Sequence, residues 1–193
     1  MKLIKKIYRR IFKKHRKHKS GYSDWTKGVE YARSKGVKVG EDCRCLTKHF
    51  GSEPYLISLG DHVSVADDVH FITHDGGLWV FREEVPADYI RPIIVHRNSI
   101  IGSCAIILPG VEIGPNSVVG AGSVVTRRVP PNSVAAGVPA RVISTLDDYR
   151  SRIKDDMLIN NLSPEEKNVY LLNYFGTTVE EWLGKMEGLD RDT

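Results

Sequence analysis

A six-residue spacing of hydrophobic positions dominates the middle of the chain. Residues 95–130 divide without a gap into six hexads, VHRNSI, IGSCAI, ILPGVE, IGPNSV, VGAGSV and VTRRVP. The first position is always Ile or Val, and the fifth is always Ser, Ala or Val. Neither the period of an amphipathic helix, about 3.6 residues, nor the period of a two-sided strand, about 2, produces this pattern. The repeat therefore predicts short strands joined by corners.

The fourth position of each hexad indicates where the corners lie. Its occupants are Asn98, Cys104, Gly110, Asn116, Gly122 and Arg128. Most of these residue types accept positive φ. Three sides return the chain to itself after three hexads, and a gap of about 12 residues is long enough for a parallel crossover. We therefore predict a triangular solenoid whose first-position aliphatics stack inward and whose coils rise by about 4.8 Å. The pattern itself leaves the handedness open, although crossovers are usually right-handed.

Earlier hexads are less regular and end in a break. VGEDCR begins at Val39, and LGDHVS, VADDVH and FITHDG follow from Leu59 to Gly76. Residues 77–92, GLWVFREEVPADYIRP, carry aromatic and charged side chains and two prolines without the hexad. They are predicted to leave the solenoid as an excursion loop. On this register His74 takes the fourth position of its hexad, at a corner immediately before the loop.

Helical segments are predicted on both sides of the solenoid. Residues 21–36 form a lead-in, in which Ser23 caps a helix and Gly36 ends it. The solenoid domain then covers residues 37–143, and residues 144–193 form a helical extension. The strongest start signal there is Ser163-Pro-Glu-Glu. We expect these last helices to close the open end of the solenoid, where strand edges would otherwise be exposed.

The positive charge of the chain is concentrated at its start, in residues 1–20. This segment holds ten of the 28 Lys and Arg and no acid, which leaves 18 basic against 24 acidic residues, or −6, for the rest. Its apolar residues recur at helical spacing, so residues 1–20 predict a basic amphipathic helix. Such a helix can lie on an anionic membrane surface, or it can pack on the body or on a neighbouring subunit. Nucleic acid is a weaker candidate, because no basic patch with aromatics continues into the acidic body.

The cysteines and the hydropathy indicate the compartment. The chain has three cysteines, Cys43, Cys45 and Cys104. It shows no secretory leader and no apolar stretch approaching the roughly 20 residues of a membrane span. We therefore expect free thiols and a cytoplasmic protein, at the inner face of the membrane if residues 1–20 bind lipid. The spacing of Cys43 and Cys45 does not fit a zinc site, and no metal is predicted.

Two longer stretches resemble a known family. LGDHVSVADDVHFITHDGG and, after the loop, IIGSCAIILPGVEIGPNSVVGAGSVVTRRVPPNSVAAGVPARVI are similar to hexapeptide-repeat acyltransferases of the sugar and polysaccharide O-acetyltransferase branch. The most diagnostic parts are GAGSVVT and AGVPAR, because hexads alone also occur in non-acetylating relatives. The resemblance covers residues from about 37 to 143. It implies an all-β solenoid, a left-handed parallel β-helix with flanking helices, in a homotrimer that binds acetyl coenzyme A along the solenoid wall between subunits.

The resemblance also implies the residues that contact the cofactor. The matching positions are Ser103, Ala121, Thr126 and Arg127, with Arg141 near the nucleotide phosphates. Stacking of hexads puts Ser103 beside Ala121, and both are small enough for a pantetheine arm to approach the backbone. The planar donors of arginine suit a phosphate. Solenoid walls also favour small residues for packing alone, and a solvated arginine needs no ligand.

His74 matches the general base of the family, which takes a proton from a sugar hydroxyl as that oxygen attacks a thioester. The unperturbed pKa of a histidine side chain, about 6.5, suits this step. Asp75 is expected to bind a sugar hydroxyl or to orient the ring of His74. Trp79 and Phe81 either stack on a sugar or pin the loop to the protein. His96, where the family usually has Gly, is a further candidate for contact with the substrate.

The function implied by the resemblance is transfer of acetyl from acetyl coenzyme A to a hydroxyl of a glycan, a polysaccharide or a lipid- or nucleotide-linked precursor. Transfer would be direct, in a ternary complex, with the backbone amide of Ser103 stabilising the oxyanion. N-acetylation of an amino sugar uses the same donor. A metal-dependent hydratase on the same solenoid, resembling carbonic anhydrases and using His70, His74 and His96, is a different class. A noncatalytic scaffold at the membrane surface is a third.

Overall fold

A computed structural model describes residues 22–84, 88–154, 162–176, 178 and 181. The helix predicted for residues 1–20 lies outside these residues, as does much of the extension predicted after residue 154. The chain forms two compact units, Met1–Arg152 and Ile153–Thr193. The described part of the second unit contains the helix Pro164–Tyr174, which we number α3.

Fifteen short strands and two α-helices begin in the described part of the first unit, and the second helix ends at Ile153, the first residue of the second unit. The helices are α1 Tyr22–Ser34 and α2 Leu146–Ile153. The strands are β1 Lys38–Val39, β2 Arg44–Cys45, β3 Ile57–Leu59, β4 Ser64–Val65, β5 His70–Phe71, β6 His74–Asp75, β7 Tyr89–Ile90, β8 Ile93–Val95, β9 Ile100–Ile101, β10 Ile106–Ile107, β11 Glu112–Ile113, β12 Val118–Val119, β13 Val124–Val125, β14 Ser133–Gly137 and β15 Ala140–Thr145. Short 3-10 helices cover Pro54–Leu56 and Gly76–Phe81.

Thirteen of the strands form three sheets, to which successive coils of the chain add strands in turn, and β6 and β7 form a separate two-stranded sheet. The first sheet has the order β1-β3-β8-β11, the second β15-β14-β12-β9-β4-β2 and the third β13-β10-β5. Ile94 pairs with Glu112, Ile100 with Val118 and Ile106 with Val124, all in parallel and all three hexads apart. A chain that returns to each of three sheets after every third hexad is a three-sided parallel coil, as the hexads predict.

Most of the fourth positions of the hexads have the backbone conformation predicted for a corner. Positive φ is found at Asn98, Cys104, Gly110, Asn116 and Gly122, between 55° and 78°. Arg128 is the exception, since it is not among the residues with positive φ. The coil that contains Arg128 is shorter than the others. Val118 pairs with Val134 rather than with Ala136, the residue three hexads after Val118. The prediction of a corner at Arg128 is therefore wrong in its backbone conformation.

The interior of the coil consists of the predicted columns. All six first-position residues from Val95 to Val125 are at most 1% exposed. The fifth-position residues are also buried, and the serines among them have backbone partners: Ser99 donates to Gly114 O at 3.0 Å and Ser117 to Pro130 O at 2.9 Å. The core therefore alternates aliphatic columns with small residues that fit the tight turns.

The excursion interrupts one coil, and its register differs from the prediction. Ile57 pairs with Ile93, six hexad lengths further along, so this coil is twice as long as a regular one. Arg91 N donates to Thr73 O at 2.9 Å and closes the base of the insertion. The extra residues are thus 74–91, and Pro92 takes the corner that the hexad pattern assigns to His74. His74 instead begins the excursion in β6, which pairs antiparallel with β7.

Different elements cover the two ends of the coil. Helix α1 contacts β1 and β2, and Gly28 lies so close to the Cys45 carbonyl that an added Cβ would overlap the carbonyl oxygen. Gly36, with φ of 99°, ends the lead-in as predicted, but Ser23 lies within α1 and does not cap it. At the other end, β15 pairs antiparallel with β14. This strand, rather than a helix, satisfies the edge of the second sheet.

Candidate active site

His74 lies half-buried at the point where the excursion leaves the coil. Its Nδ1 is 3.3 Å from Oε2 of Glu53, and the same carboxylate oxygen accepts a 2.5 Å hydrogen bond from Thr73 Oγ1. Glu53 precedes the 3-10 helix Pro54–Leu56 in the preceding coil. An acceptor on Nδ1 leaves Nε2 as the ring nitrogen available to a substrate.

The contacts of Glu53 favour the ionised form of its side chain. The hydrogen bond from Thr73 and the adjacent His74 ring lower the pKa of Glu53 below its usual value, with Thr73 the larger cause. An ionised carboxylate can only accept hydrogen bonds, so a neutral His74 must carry its proton on Nδ1. The sequence offered no direct sign of this pair, since Glu53 is 21 residues earlier and outside any hexad.

The loop residues predicted to bind substrate have distinct surroundings. Asp75 Oδ1 accepts a 2.8 Å hydrogen bond from Gly77 N and caps the 3-10 helix of the loop, so Glu53, not Asp75, faces the ring of His74. Trp79 and Phe81 are 70% and 51% exposed. At that exposure neither ring is packed into the described body of the protein. The guanidinium of Arg82 lies 4.6 Å from the centre of the Trp79 ring.

His96 belongs to a charged cluster on the first sheet. Its Nε2 is 2.7 Å from Oε1 of Glu112, and Nε of Arg128 is 3.5 Å from the other oxygen of Glu112. The three residues come from three successive coils. No contact joins His96 to His74 in the described residues. Glu112 and Arg128 were not among the predicted site residues.

Ser103 and Ala121 lie side by side, as the stacking of hexads predicts. Gly122 N donates to Ser103 O at 2.8 Å, which joins the two coils at this corner. Ser103 Oγ donates to Asp67 Oδ1 at 2.7 Å, so its hydroxyl is held by a residue of the preceding coil. Ala121 is exposed. The corner thus presents a small, accessible surface between the second and third sheets.

The other predicted cofactor residues lie elsewhere on the coil. Thr126 and Arg127 follow β13 at the same corner as the start of the excursion, about 10 Å from it by the rise of two coils. Arg141 lies in β15, opposite Ala136, and donates to its own neighbour Ala140 O. Ser103 and His74 stand at opposite ends of the strands of the third sheet. One chain therefore does not bring all the predicted residues to a single point.

The described residues contain neither a metal site nor a membrane-spanning helix. Among residues 22–84, 88–154 and 162–176, no three His, Cys, Asp or Glu side chains are placed to share a metal ion, so His70, His74 and His96 of one chain do not form such a group there. Within the same ranges, no helix has the length and apolarity needed to cross a bilayer. Cys43, Cys45 and Cys104 are free thiols, as predicted.

Comparison with known proteins identifies the repeat. Residues 92–127 match the family described as bacterial transferase hexapeptide, six repeats. The chain is 42% identical over 148 residues to protein CapG of Staphylococcus aureus, covering 74% of this chain and 86% of CapG. It is 41% identical over 106 residues to the galactoside O-acetyltransferase of Escherichia coli K12, covering 50% of this chain and 47% of that relative.

Among solved structures, a maltose O-acetyltransferase from Clostridium difficile 630 is 28% identical, with a TM-score of 0.48, and the match covers 72% of this chain and 83% of that one. The repeat match and the long alignment with CapG agree with the three-sided coil, its corners and its inward columns. The chain therefore belongs to the hexapeptide-repeat acyltransferases, in the branch that includes the sugar O-acetyltransferases.

Proposed function

We propose that the protein transfers the acetyl group of acetyl coenzyme A to a hydroxyl of a sugar in a glycan, a polysaccharide or a linked precursor, with His74 as the general base. The observation that carries this proposal is the half-buried His74, whose Nδ1 faces the Glu53 carboxylate at 3.3 Å. Membership of the family and the similarity to a galactoside O-acetyltransferase support the donor and the class of acceptor.

In this mechanism Nε2 of His74 takes the proton of the sugar hydroxyl as its oxygen attacks the thioester carbonyl. The new C–O bond forms, the C–S bond breaks, and the protonated ring returns the proton to the departing thiolate. Glu53 accepts the Nδ1–H throughout and stabilises the ring while it is charged. A backbone amide at Ser103 would stabilise the oxyanion. Asp75, Trp79 and Phe81 remain proposed contacts for the sugar.

The position of the predicted cofactor residues favours a site built by more than one chain. Ser103 and Ala121 lie at the opposite end of the third sheet from His74. We infer that the coils wind left-handed, as in the family, and that three copies associate so that the Ser103 corner of one subunit faces His74 of another. Thr126, Arg127 and Arg141 would then line the path of the donor. Membrane contact through residues 1–20, and a cytoplasmic location, remain part of the proposal.

The test is release of free thiol from acetyl coenzyme A in the presence of candidate glycans. We expect His74→Ala to lower kcat by about a hundred- to ten-thousandfold, while the fold and the binding of coenzyme A persist. His62→Asn is the matched control, because asparagine fills the same corner column in other coils, at Asn98 and Asn116. An unchanged rate in His74→Ala would refute the mechanism.

A further inference from the structure

A cleft of 270 Å³ opens beside the base of the excursion, lined in part by Tyr89, Arg91, Ile94 and Glu112. Tyr89 pairs with Asp75 and Ile90 with His74 across the β6–β7 hairpin. Side chains alternate between the faces of a strand, so Tyr89 and Arg91 lie on the face of the hairpin opposite His74. The cleft thus begins at β7, the strand that pairs with the His74 strand, and extends over β8 and β11 of the first sheet.

The electrostatics of the cleft favour an anion. Its one lining carboxylate, Glu112, lies 3.5 Å from Nε of Arg128, whose positive charge offsets it, and 2.7 Å from Nε2 of His96. Within the described part of the chain, no carboxylate lies within 4.0 Å of the Arg91 guanidinium. The body of the protein beyond residue 20 carries 18 basic and 24 acidic residues, so this local excess of positive charge is unusual for the molecule.

Arg91 is also held in place before any ligand binds. Its backbone N donates to Thr73 O at 2.9 Å, and its guanidinium lies 5.6 Å from the centre of the Tyr89 ring. Its side chain passes over Gly110, where an added Cβ would lie 3.4 Å from Arg91 Cβ. A restrained guanidinium loses less conformational entropy when its planar donors bind a carboxylate or a phosphate.

We propose that this cleft binds an anionic group of the acceptor, a sugar carboxylate or a sugar phosphate, next to the residue that is acetylated. The assignment to the acceptor rests on the proposed function and on the short distance along the chain between the cleft and the candidate base, since Arg91 N is hydrogen-bonded to Thr73 O and Thr73 directly precedes His74. Arg91 is the residue that would distinguish acidic from neutral acceptors.

Binding is tested on the full-length protein by NMR of labelled isoleucine methyl groups, with Ile94 as the reporter. The probes are methyl glucoside, methyl glucuronoside and glucose 1-phosphate. We expect at least one of the two anions to bind roughly tenfold more tightly than the neutral glucoside, and Arg91→Met to remove that preference. The anion that binds more tightly shows whether the cleft recognises a sugar carboxylate or a sugar phosphate. Equal response to all three probes, or a preference that survives Arg91→Met, overturns the proposal.

Arg152→Met is the matched control, because Arg152 lies over the Tyr149 ring at 5.5 Å in a similar pair outside the cleft. It should keep the preference of the wild-type protein. Coenzyme A is titrated in parallel. If coenzyme A shifts the Ile94 signal and Arg91→Met abolishes that shift, the cleft belongs to the donor and the assignment to the acceptor is wrong.

Kinetics separate this inference from the proposed function. With an acidic acceptor, Arg91→Met should raise KM by roughly tenfold and leave kcat unchanged, whereas a neutral acceptor should show no change. Activity without any dependence on acceptor charge would refute the anion site and leave the acetyltransferase intact. If the Ile94 signal shows that anions bind more tightly but no acceptor gives thiol release, the proposed function is refuted and the anion-binding site is retained.

Discussion

At the scale of single residues, the pair formed by Glu53 and His74 determines what the ring can do. Two carboxylates are near His74 in the chain or in space, but Asp75 uses Oδ1 to cap the loop helix through Gly77 N. Of these two carboxylates, only that of Glu53 faces Nδ1 of His74. Its hydrogen bond from Thr73 fixes the carboxylate before the substrate arrives. The orientation of the proposed base thus depends on a residue far from it in sequence.

Glu53→Gln tests this orientation. The amide keeps the size of the side chain but can donate to Nδ1, which favours the ring tautomer whose Nε2 carries the proton and cannot act as a base. We expect kcat to fall by about tenfold to a hundredfold with little change in KM for either substrate. Glu53→Asp should recover part of the loss. Steady-state kinetics of thiol release measure kcat and KM for both variants. A change confined to KM would assign Glu53 to substrate binding instead.

The depressed pKa of Glu53 also predicts how stability depends on pH. A carboxyl with a lower pKa in the folded than in the unfolded protein stabilises the fold above its unfolded pKa, about 4.3, and loses that contribution as the pH falls through its folded pKa. The free energy of unfolding of wild type should therefore exceed that of Glu53→Gln at neutral pH. The difference should shrink below about pH 4. Denaturant unfolding at several pH values measures it, and a constant difference would contradict it.

At the scale of elements, one corner of the coil is a ladder of polar side chains. Its members are Asp42, His62, Asn98, Asn116 and Asn132, all with φ between 51° and 56°. Asn98 donates to Asn116 at 2.8 Å and Asn116 donates to Asn132 at 2.9 Å. Asparagine is suited to this column because it tolerates positive φ and offers both a donor and an acceptor.

Asn116→Ala should lower the free energy of unfolding by roughly 2–3 kcal/mol, because it removes two hydrogen bonds and places a residue with no polar side chain at positive φ. Asn116→Gly should cost less, since glycine relieves the backbone while losing the same bonds. Denaturant unfolding of both variants measures the order. A larger loss for glycine than for alanine would show that backbone strain contributes nothing at this corner.

Gly28→Ala tests the packing of α1 on the first coil. In the interior of an exposed helix this change normally adds about 0.5–1 kcal/mol of stability. Here the new Cβ would overlap Cys45 O, so the helix must shift away from β2. We therefore expect a loss of about 1–3 kcal/mol. Thermal unfolding checks the sign, and a gain in stability would mean that α1 does not hold this position.

The sequence predicted the repetitive elements well because each hexad repeats the same local requirements. The buried first position and the corners at Asn98 and Gly122 follow from residue types alone. The register of His74 could not be predicted in this way. The sequence FITHDG continues the hexad pattern, although the backbone has already left the coil at His74. Only the pairing of Ile57 with Ile93 reveals the break.

Glu53 escaped prediction for a related reason. The first coil is irregular, with Lys38 paired to Ser58 rather than to Leu56, which lies three hexad lengths on. Columns projected from the later hexads therefore do not place Glu53 beside His74. The clusters around Glu112 and Asp67 were missed because hydrogen bonds between coils depend on rotamers that a repeat does not specify.

At the scale of the whole molecule, the proposed site is divided by the coil itself. The third sheet separates the Ser103–Ala121 corner from His74. On the proposed function, each monomer would therefore present two half-sites. A closed ring of three copies would give every subunit the same two neighbours and would complete three sites from six half-sites. Catalysis would then require assembly, and dilution below the dissociation constant of the trimer should abolish activity without unfolding the coil.

This division makes a complementation test possible. His74→Ala removes the base, and Ala121→Tyr obstructs the small exposed surface at the other corner. Each homotrimer should be inactive, but trimers reassembled from an equal mixture should contain some sites that combine an intact His74 with an intact corner. If chains mix at random and each site takes one half from each of two subunits, about a quarter of the sites are intact. Thiol release near that fraction of the wild-type rate supports a shared site, whereas a mixture that stays inactive although native mass spectrometry shows mixed trimers would place both halves in one chain.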